Sequence, residues 1–592
     1  VSGAVSRVRG PLAAVAGAAL AAPLVLAGPA HAEAGPYTVT PLTFTVEAGD
    51  RTCTVDADLY RPAGADADSP APAVLATNGF GGSKSDGTTD AIGRTFAERG
   101  YVSLVYSGLG FGRSGCLITL DDPAVDGEAA SGLLDFLAGV RAADDGTKAD
   151  YVTRDAEGDP RVGMIGGSYG GAIQLAAAAV DPRVDALVPL ITWNDLGYAL
   201  APNNTGARTG VTSDTPGVFK WQWTNGFYLI GEGRPLLTPR PDPSRINRVD
   251  CLHFATRVCE TVRLLNSGRY PAAQTERMLA YVRSVSPVSY LDRVQAPTLL
   301  VQGQADSLFN LNEATATYRT LKAQGTETKM IWQSWGHGGG QVPGELDLDR
   351  GNLETSHVGR RVLAWFDRYL RENTAADTGP ALSYYRHWQS GYGTAADVPA
   401  LSRSLYLSGD GKLVDDRSEV VRGSRQYTNR PVPTSHSESS LAPLIGLPDI
   451  EPYDTKGTYL GWRSEPLTAP LDVVGAPKAT LQVVSPEAER VQHSGDASEK
   501  LVLFAKVYDV APGGGRTLVN RLVSPVRVPD VTRPFTVELP GIVHRYARGH
   551  RLEFVIAASD TAYFGNRGIK PVTVVSAPEE TGVLELPVVP AG

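Results

Sequence analysis

The stretch GMIGGSYGGAIQL, residues 163–175, sets the reading of the whole chain. An apolar run, RVGMIG, meets Gly166-Gly167-Ser168-Tyr169-Gly170-Gly171 and passes straight into the helix former AIQLAAAA. This is a G-x-S-x-G pattern centred on Ser168. Small residues on both sides of the serine let the backbone turn sharply from strand to helix, which lifts the hydroxyl out of the sheet and leaves the next backbone N–H free. A glycine-rich strand–helix turn without chemistry has the same local composition, so the pattern acquires meaning only through partners elsewhere.

Outward from this turn the sequence alternates between strand and helix patterns. YTVTPLTFTVEAGDRTCTVDADLYRP (37–62) alternates apolar and polar residues around an AGD turn and predicts a leading antiparallel hairpin. APAVLATNGF predicts a buried strand ending in glycines, with DGTTDAIGRTFAERG as the helix behind it. YVSLVYS, the helix ASGLLDFLAGVRA, RVGMIGGS, VDALVPLIT, APTLLVQG and ETKMIWQSW continue the series, and HVGRRVLAWFDRYLREN ends it as an amphipathic helix. Such alternation predicts an α/β domain, about 37–375, with a largely parallel sheet between helices. Functional loops then gather at the carboxyl ends of the strands. The series is interrupted between about 194 and 290 by a segment rich in aromatics, which predicts an inserted cap. Beyond ENTAADTGP the segments are short strands with turns between them, such as SLYLSG, KLVLFAKVYDV and HRLEFVIAAS. This predicts a C-terminal all-β sandwich with jelly-roll connections over 380–592.

A serine hydroxyl needs a base and a carboxylate that orients it. In sheets of this type the chain order is serine, acid, histidine, each after a later strand. Of the nine histidines, only His337, in SWGHGGG, follows a strand of the α/β region. Asp306, in APTLLVQGQADSLFN, lies just past the end of a buried strand, whereas Asp292 precedes that strand and Glu313 falls inside the following helix. The intervals leave room for the intervening elements, so Ser168, Asp306 and His337 are the expected triad. The backbone N–H groups of Tyr169 and of Phe80, in the NGFGG loop after the first parallel strand, are the expected donors to a developing oxyanion.

The remaining composition bounds the partners. With 55 Lys and Arg against 64 Asp and Glu, a formal charge of −9 and no basic run, nucleic acid is disfavoured. Arg7 and Arg9, the apolar PLAAVAGAALAAPLVLAGPA and the small residues of Ala30-His31-Ala32 predict a cleaved signal peptide over 1–32, hence an extracellular protein without a membrane partner afterwards. The four cysteines fit an oxidising compartment: Cys251 and Cys259 can close a short loop, leaving Cys53 and Cys116 for a longer one, although sequence does not fix the pairing. No metal-ligand spacing is present, and no metal is expected.

NGFGGSKSD, GGSYGG, GQADSLF and WGHGGG, followed by SEPLTAPLDVVGAPKATLQVV and RGHRLEFVIAASD, resemble the Xaa-Pro dipeptidyl-peptidase/cocaine esterase (CocE/NonD-like, S15-type) family of serine hydrolases. The resemblance runs from about residue 40 to the end. It implies an α/β-hydrolase domain, a helical cap, a C-terminal jelly roll, no cofactor, and the triad Ser168, Asp306 and His337. Some members place a tyrosine hydroxyl in the oxyanion hole where this chain has Phe80, and many have His in place of Asn78. The family architecture tilts the expectation towards release of N-terminal X-Pro dipeptides, with a carboxylic-ester hydrolase or acylase as the alternative. A peptidase must hold a free α-ammonium, for which Asp195 and Glu232 are candidates. An esterase needs an apolar acyl pocket, for which cap aromatics such as Trp221 and Trp223 are candidates. A sugar-binding β domain without catalysis is a third reading, disfavoured by the complete triad.

Overall fold

The computed structural model describes residues 35–233, 242–347, 351–437 and 451–590. The expected signal peptide lies outside them. The chain opens with the antiparallel pair β1 (Tyr37–Ala48) and β2 (Arg51–Pro62), in which Leu42, Phe44, Val46 and Ala48 are buried and the residues between them are not. This period of two follows from the pleat, which sends alternate side chains to opposite faces.

Eight further strands complete the first sheet. They are β3 (Ala73–Thr77), β4 (Val102–Tyr106), β5 (Val162–Gly167), β6 (Val184–Leu190), β7 (Thr298–Gly303), β8 (Thr328–Gln333), β9 (Leu382–Arg386) and β10 (Gly391–Ala395). Their spatial order is β1-β2-β4-β3-β5-β6-β7-β8-β9-β10. Every pairing from β4 to β9 is parallel, and only β2 and β10 run against the rest, the two reversals of the leading hairpin returning β1 to the common direction. Leu75, Val162 and Met164 point into one core with Leu133, Leu134 and Ile173, while Val74, Ala76 and Ile165 point into another with Phe96, Trp365 and Phe366. Helices α1 (Gly87–Glu98), α2 (Glu128–Leu137) and α3 (Tyr169–Val180) therefore lie on the two faces of the sheet.

Between β6 and β7 the chain forms the cap helices α4 (Leu196–Leu200), α5 (Trp221–Gly233), α6 (Thr256–Asn266) and α7 (Ala272–Ser284). Helices α8 (Leu311–Ala323) and α9 (His357–Leu370) return to the sheet. Helix α9 buries Val358, Val362, Trp365 and Phe366, an i, i+4, i+7, i+8 stripe, and its N-terminus is capped by Ser356 Oγ accepting from Gly359 N at 3.0 Å. Burial of each large side chain in that stripe is worth about 1.5–3 kcal/mol.

Among the described residues beyond 400 the chain is all-β apart from short turns and the six-residue helix Pro486–Val491. Strands Val502–Val510, Arg551–Ala557 and Tyr459–Ser464 form the middle of a mainly antiparallel sheet, and Leu471–Gly475 pairs with Ile542–Tyr546 in a smaller one. Trp462, Phe554 and Ile556 from the first share one core with Val473, Ile542 and Tyr546 from the second. One feature differs from the sequence expectation. Strands β9 and β10, placed by pattern in the C-terminal domain, extend the α/β sheet, with β9 parallel to β8. LSYYR is short and half apolar like the later strands, so periodicity alone cannot assign it to a sheet.

Candidate active site

Ser168 sits where β5 ends and α3 begins, with φ 56° and ψ −117°, a left-handed conformation rare for a residue with a side chain. The flanking glycines make this turn feasible. A Cβ on Gly170 would lie 2.4 Å from Thr77 O, and one on Gly166 would lie 2.5 Å from Gly170 O. Helix, elbow and the end of β3 are thus packed backbone to backbone.

The three residues expected to act together are brought together. Ser168 Oγ is 3.0 Å from His337 Nε2, and His337 Nδ1 is 3.0 Å from Asp306 Oδ2. Asp306 is fully buried just beyond β7, and its Oδ1 accepts from the N–H groups of Leu308 at 2.9 Å and Phe309 at 2.8 Å. An ionised carboxylate only accepts, so it fixes the imidazole with its proton on Nδ1 and leaves Nε2 to accept from the serine. His337 lies in a tight turn after β8 closed by reciprocal bonds between Gly336 and Gly339, at 3.0 and 3.1 Å. Its ring meets Phe309 edge-on at 4.9 Å and Trp223 at 5.8 Å. Buried Glu345 ties the downstream loop back by accepting from Ser334 N at 2.8 Å, Ser334 Oγ at 2.9 Å and the Tyr392 hydroxyl.

The N–H of Tyr169 opens α3, where the helix dipole favours negative charge. Neither it nor the Phe80 N–H has a hydrogen-bond acceptor among the described residues. Asn78, fully buried, fixes the Phe80 loop by accepting from Gly108 N at 3.0 Å. The Phe80 side chain packs against Phe111, Tyr169, Phe227 and Phe254, with centroids 5.1–6.1 Å away. The Tyr169 hydroxyl accepts from Asp121 N at 3.1 Å, and Asp121 itself has a positive φ of 58° and a buried carboxyl whose pKa burial pushes well above the usual range.

Ser168 opens into a pocket whose wall is almost wholly apolar. Leu120, Trp193 and Phe309 come from the α/β loops, and Leu196, Leu200, Thr224, Phe227, Tyr228, Phe254, Val258 and Val262 from the cap. Two disulfides brace this wall. Cys53 pairs with Cys116, and Cys251 with Cys259. The segments after Cys116 and Cys251 are joined where Ile118 N donates to His253 O at 2.9 Å and Ala255 N donates to Ile118 O at 3.0 Å.

The residues considered for substrate binding are placed differently from one another. Trp223 is buried beside His337. Trp221 turns away, its indole N–H donating to Thr561 O at 2.9 Å. Asp195 is fully buried as the N-cap of α4, accepting from Gly197 N at 2.7 Å and Thr212 Oγ1 at 2.6 Å, with Arg283 at 3.4 Å. Glu232 accepts from Leu252 N at 2.8 Å and His253 N at 3.1 Å, stitching α5 to the following turn. Both carboxylates are therefore engaged in holding the cap, and neither lines the pocket. Trp193 and Phe309, which do, were legible as loop residues directly after β6 and β7; Phe254, Val258 and Val262 depend on how the cap helices rotate, which no local signal reports. Among the described residues no cluster of three or more His, Cys, Asp or Glu is arranged to hold a metal.

The family model described as X-Pro dipeptidyl-peptidase (S15 family) matches residues 50–339, and that of the X-Pro dipeptidyl-peptidase C-terminal non-catalytic domain matches residues 400–568. Among solved structures, an aminopeptidase from the marine sediment archaeon Thaumarchaeota archaeon aligns with a TM-score of 0.63 at 17% identity, over 93% of this chain and 96% of that one. An α-amino acid ester hydrolase aligns with a TM-score of 0.62 at 18% identity, over 94% and 97%. A CocE/NonD family hydrolase from Staphylococcus aureus aligns at 0.58 and 13% identity, over 93% and 97%. At such identities the likeness is one of fold. No curated protein sequence gives a significant match. Catalytic and C-terminal models of one family match in succession along a chain with the corresponding fold, and the chain belongs to the X-Pro dipeptidyl-peptidase (S15) family of serine-type hydrolases.

Proposed function

We propose that this hydrolase works by acyl transfer through Ser168, on carboxylic esters whose acyl group is uncharged and apolar. The observation that carries the reading is the Ser168–His337–Asp306 chain of hydrogen bonds at the mouth of a pocket with no charged side chain among its lining residues. His337 Nε2 takes the Ser168 proton as Oγ attacks the carbonyl carbon. The oxyanion is stabilised by the N–H groups of Tyr169 and Phe80, each such donor being worth about 3 kcal/mol. The same proton goes to the departing alkoxide, leaving an acyl-enzyme. Water, deprotonated by His337, then releases the acid and returns the proton to Ser168.

The family supports a second reading, release of N-terminal X-Pro dipeptides. That reaction requires a partner for the substrate ammonium, and the engagement of Asp195 and Glu232 in the cap weighs against it. Comparing p-nitrophenyl butyrate with Gly-Pro p-nitroanilide separates the two. Ester turnover with no anilide turnover is expected; rapid cleavage of the anilide, lost on blocking its amine, would overturn the ester reading in favour of the peptidase. We further propose export, supported by the leader-like residues 1–32 and the two disulfides. Among the described residues no helix is long and apolar enough to cross a membrane.

A further inference from the structure

Asp306 is held by more than its own turn. Lys220, from the inserted segment immediately before α5, is buried at 3% exposure, and its Nζ donates to Ser307 O at 2.7 Å and Leu308 O at 3.1 Å. These carbonyls belong to the same turn whose N–H groups, from Leu308 and Phe309, donate to Asp306 Oδ1. One side of the turn thus faces the carboxylate with its donors while its acceptors are taken up by an ammonium from another part of the chain. Gln302 Nε2 closes the far end by donating to Phe309 O at 2.6 Å.

Burying a lysine head group is costly, and packing alone would be served by an apolar side chain. The backbone of Lys220 is anchored too: its N–H donates to Leu200 O at 2.8 Å, and its carbonyl accepts from Thr224 N at 3.2 Å and Thr224 Oγ1 at 3.0 Å. Leu200 and Thr224 both line the apolar pocket, and Trp223, next to Thr224, lies against His337.

We propose that Lys220 is a positioning residue for the reaction, a strut that holds the Asp306 turn against the cap so that the carboxylate meets His337 Nδ1. It acts through Asp306 and touches no reacting atom. This inference rests on the Ser168–His337–Asp306 reading above.

The test is a graded series, Lys220→Arg, Lys220→Gln and Lys220→Met, in the full-length protein with both disulfides intact. Arginine keeps the charge and can donate to both carbonyls, glutamine keeps one donor group without charge, and methionine keeps only the length. The expected order of kcat on p-nitrophenyl butyrate is Arg, Gln, Met, with the methionine variant down roughly 10- to 100-fold and KM within about threefold, because the pocket itself is unchanged. The rate of fluorophosphonate labelling should fall in the same order, and the far-downfield proton resonance of the His337–Asp306 pair should persist in the arginine variant and fade in the others. If the methionine variant fails to fold, the arginine and glutamine variants still decide the matter. Arginine performing no better than glutamine, or a loss confined to KM, would overturn the proposal. Labelling of the wild type that survives Ser168→Ala would instead overturn the triad reading on which it rests.

Discussion

Replacing Gly170 with alanine perturbs the site without touching any group that carries the chemistry. The new Cβ would lie 2.4 Å from Thr77 O and 3.2 Å from Asn78 O, both backbone atoms of the segment leading to Phe80. Ordinary contact begins near 3.4 Å, so the elbow and the end of β3 must separate by about 1 Å at the closer atom. The two expected oxyanion donors lie on opposite sides of that contact, Tyr169 N on the elbow and Phe80 N beyond Thr77. A misplacement of this size costs on the order of 100-fold in rate, or about 2.7 kcal/mol of transition-state stabilisation. The assay is kcat/KM on p-nitrophenyl butyrate alongside thermal unfolding, with Gly64→Ala as control because nothing lies within 4 Å of that position. A folded Gly170→Ala enzyme retaining more than about a third of wild-type kcat/KM would refute the reasoning, which expects roughly a hundredfold loss.

Asp306→Asn should lower kcat by about 10⁴, because the N–H groups of Leu308 and Phe309 claim the amide oxygen and turn the NH₂ towards His337, forcing the imidazole tautomer that cannot accept from Ser168; loss of less than tenfold would contradict this. Glu313, fully buried and accepting from Asn194 N at 2.7 Å and Asp195 N at 3.1 Å, has its carboxyl pushed up to about 8 by burial. Its native state therefore holds a proton that the unfolded chain has already released above its ordinary value near 4.5, so this group's contribution to stability falls as pH rises from 4.5 towards 8. Thermal unfolding of Glu313→Gln should show a gain over wild type that grows across that range, and parallel curves would contradict it. Val262→Phe, filling the pocket from α6, should shift preference from butyrate towards acetate esters; an unchanged chain-length profile would place the acyl group elsewhere.

The parts of this molecule that could be read from sequence are those governed by short-range periodicity and chain order. Strand β5 runs into Ser168 past Gly166, where a Cβ would lie 2.5 Å from Gly170 O, and Asp306 and His337 each follow a buried strand, so their position along the chain implied their position in space. The S15 family resemblance rested on the same motifs, and the family models match the segments that contain them. The cap was harder to read. Trp221 and Trp223 are two residues apart, yet one faces the β domain and the other His337, because a 100° advance per residue separates them by more than half a turn. Asp195 looked like a free carboxylate after a strand, but an aspartate directly before LGYAL is also an N-cap signal, and capping is what occupies it. Lys220 carried no sequence signal, since its partners are main-chain carbonyls far along the chain.

The central claim is that Ser168 is the nucleophile, activated by His337. Reaction of the intact protein with a fluorophosphonate, followed by peptide mass spectrometry, tests it most directly. A single stoichiometric adduct on the peptide containing Ser168, absent from Ser168→Ala and strongly slowed in His337→Ala, is the expected result. Labelling of Ser168→Ala at the wild-type rate, or an adduct on a different serine, would contradict it.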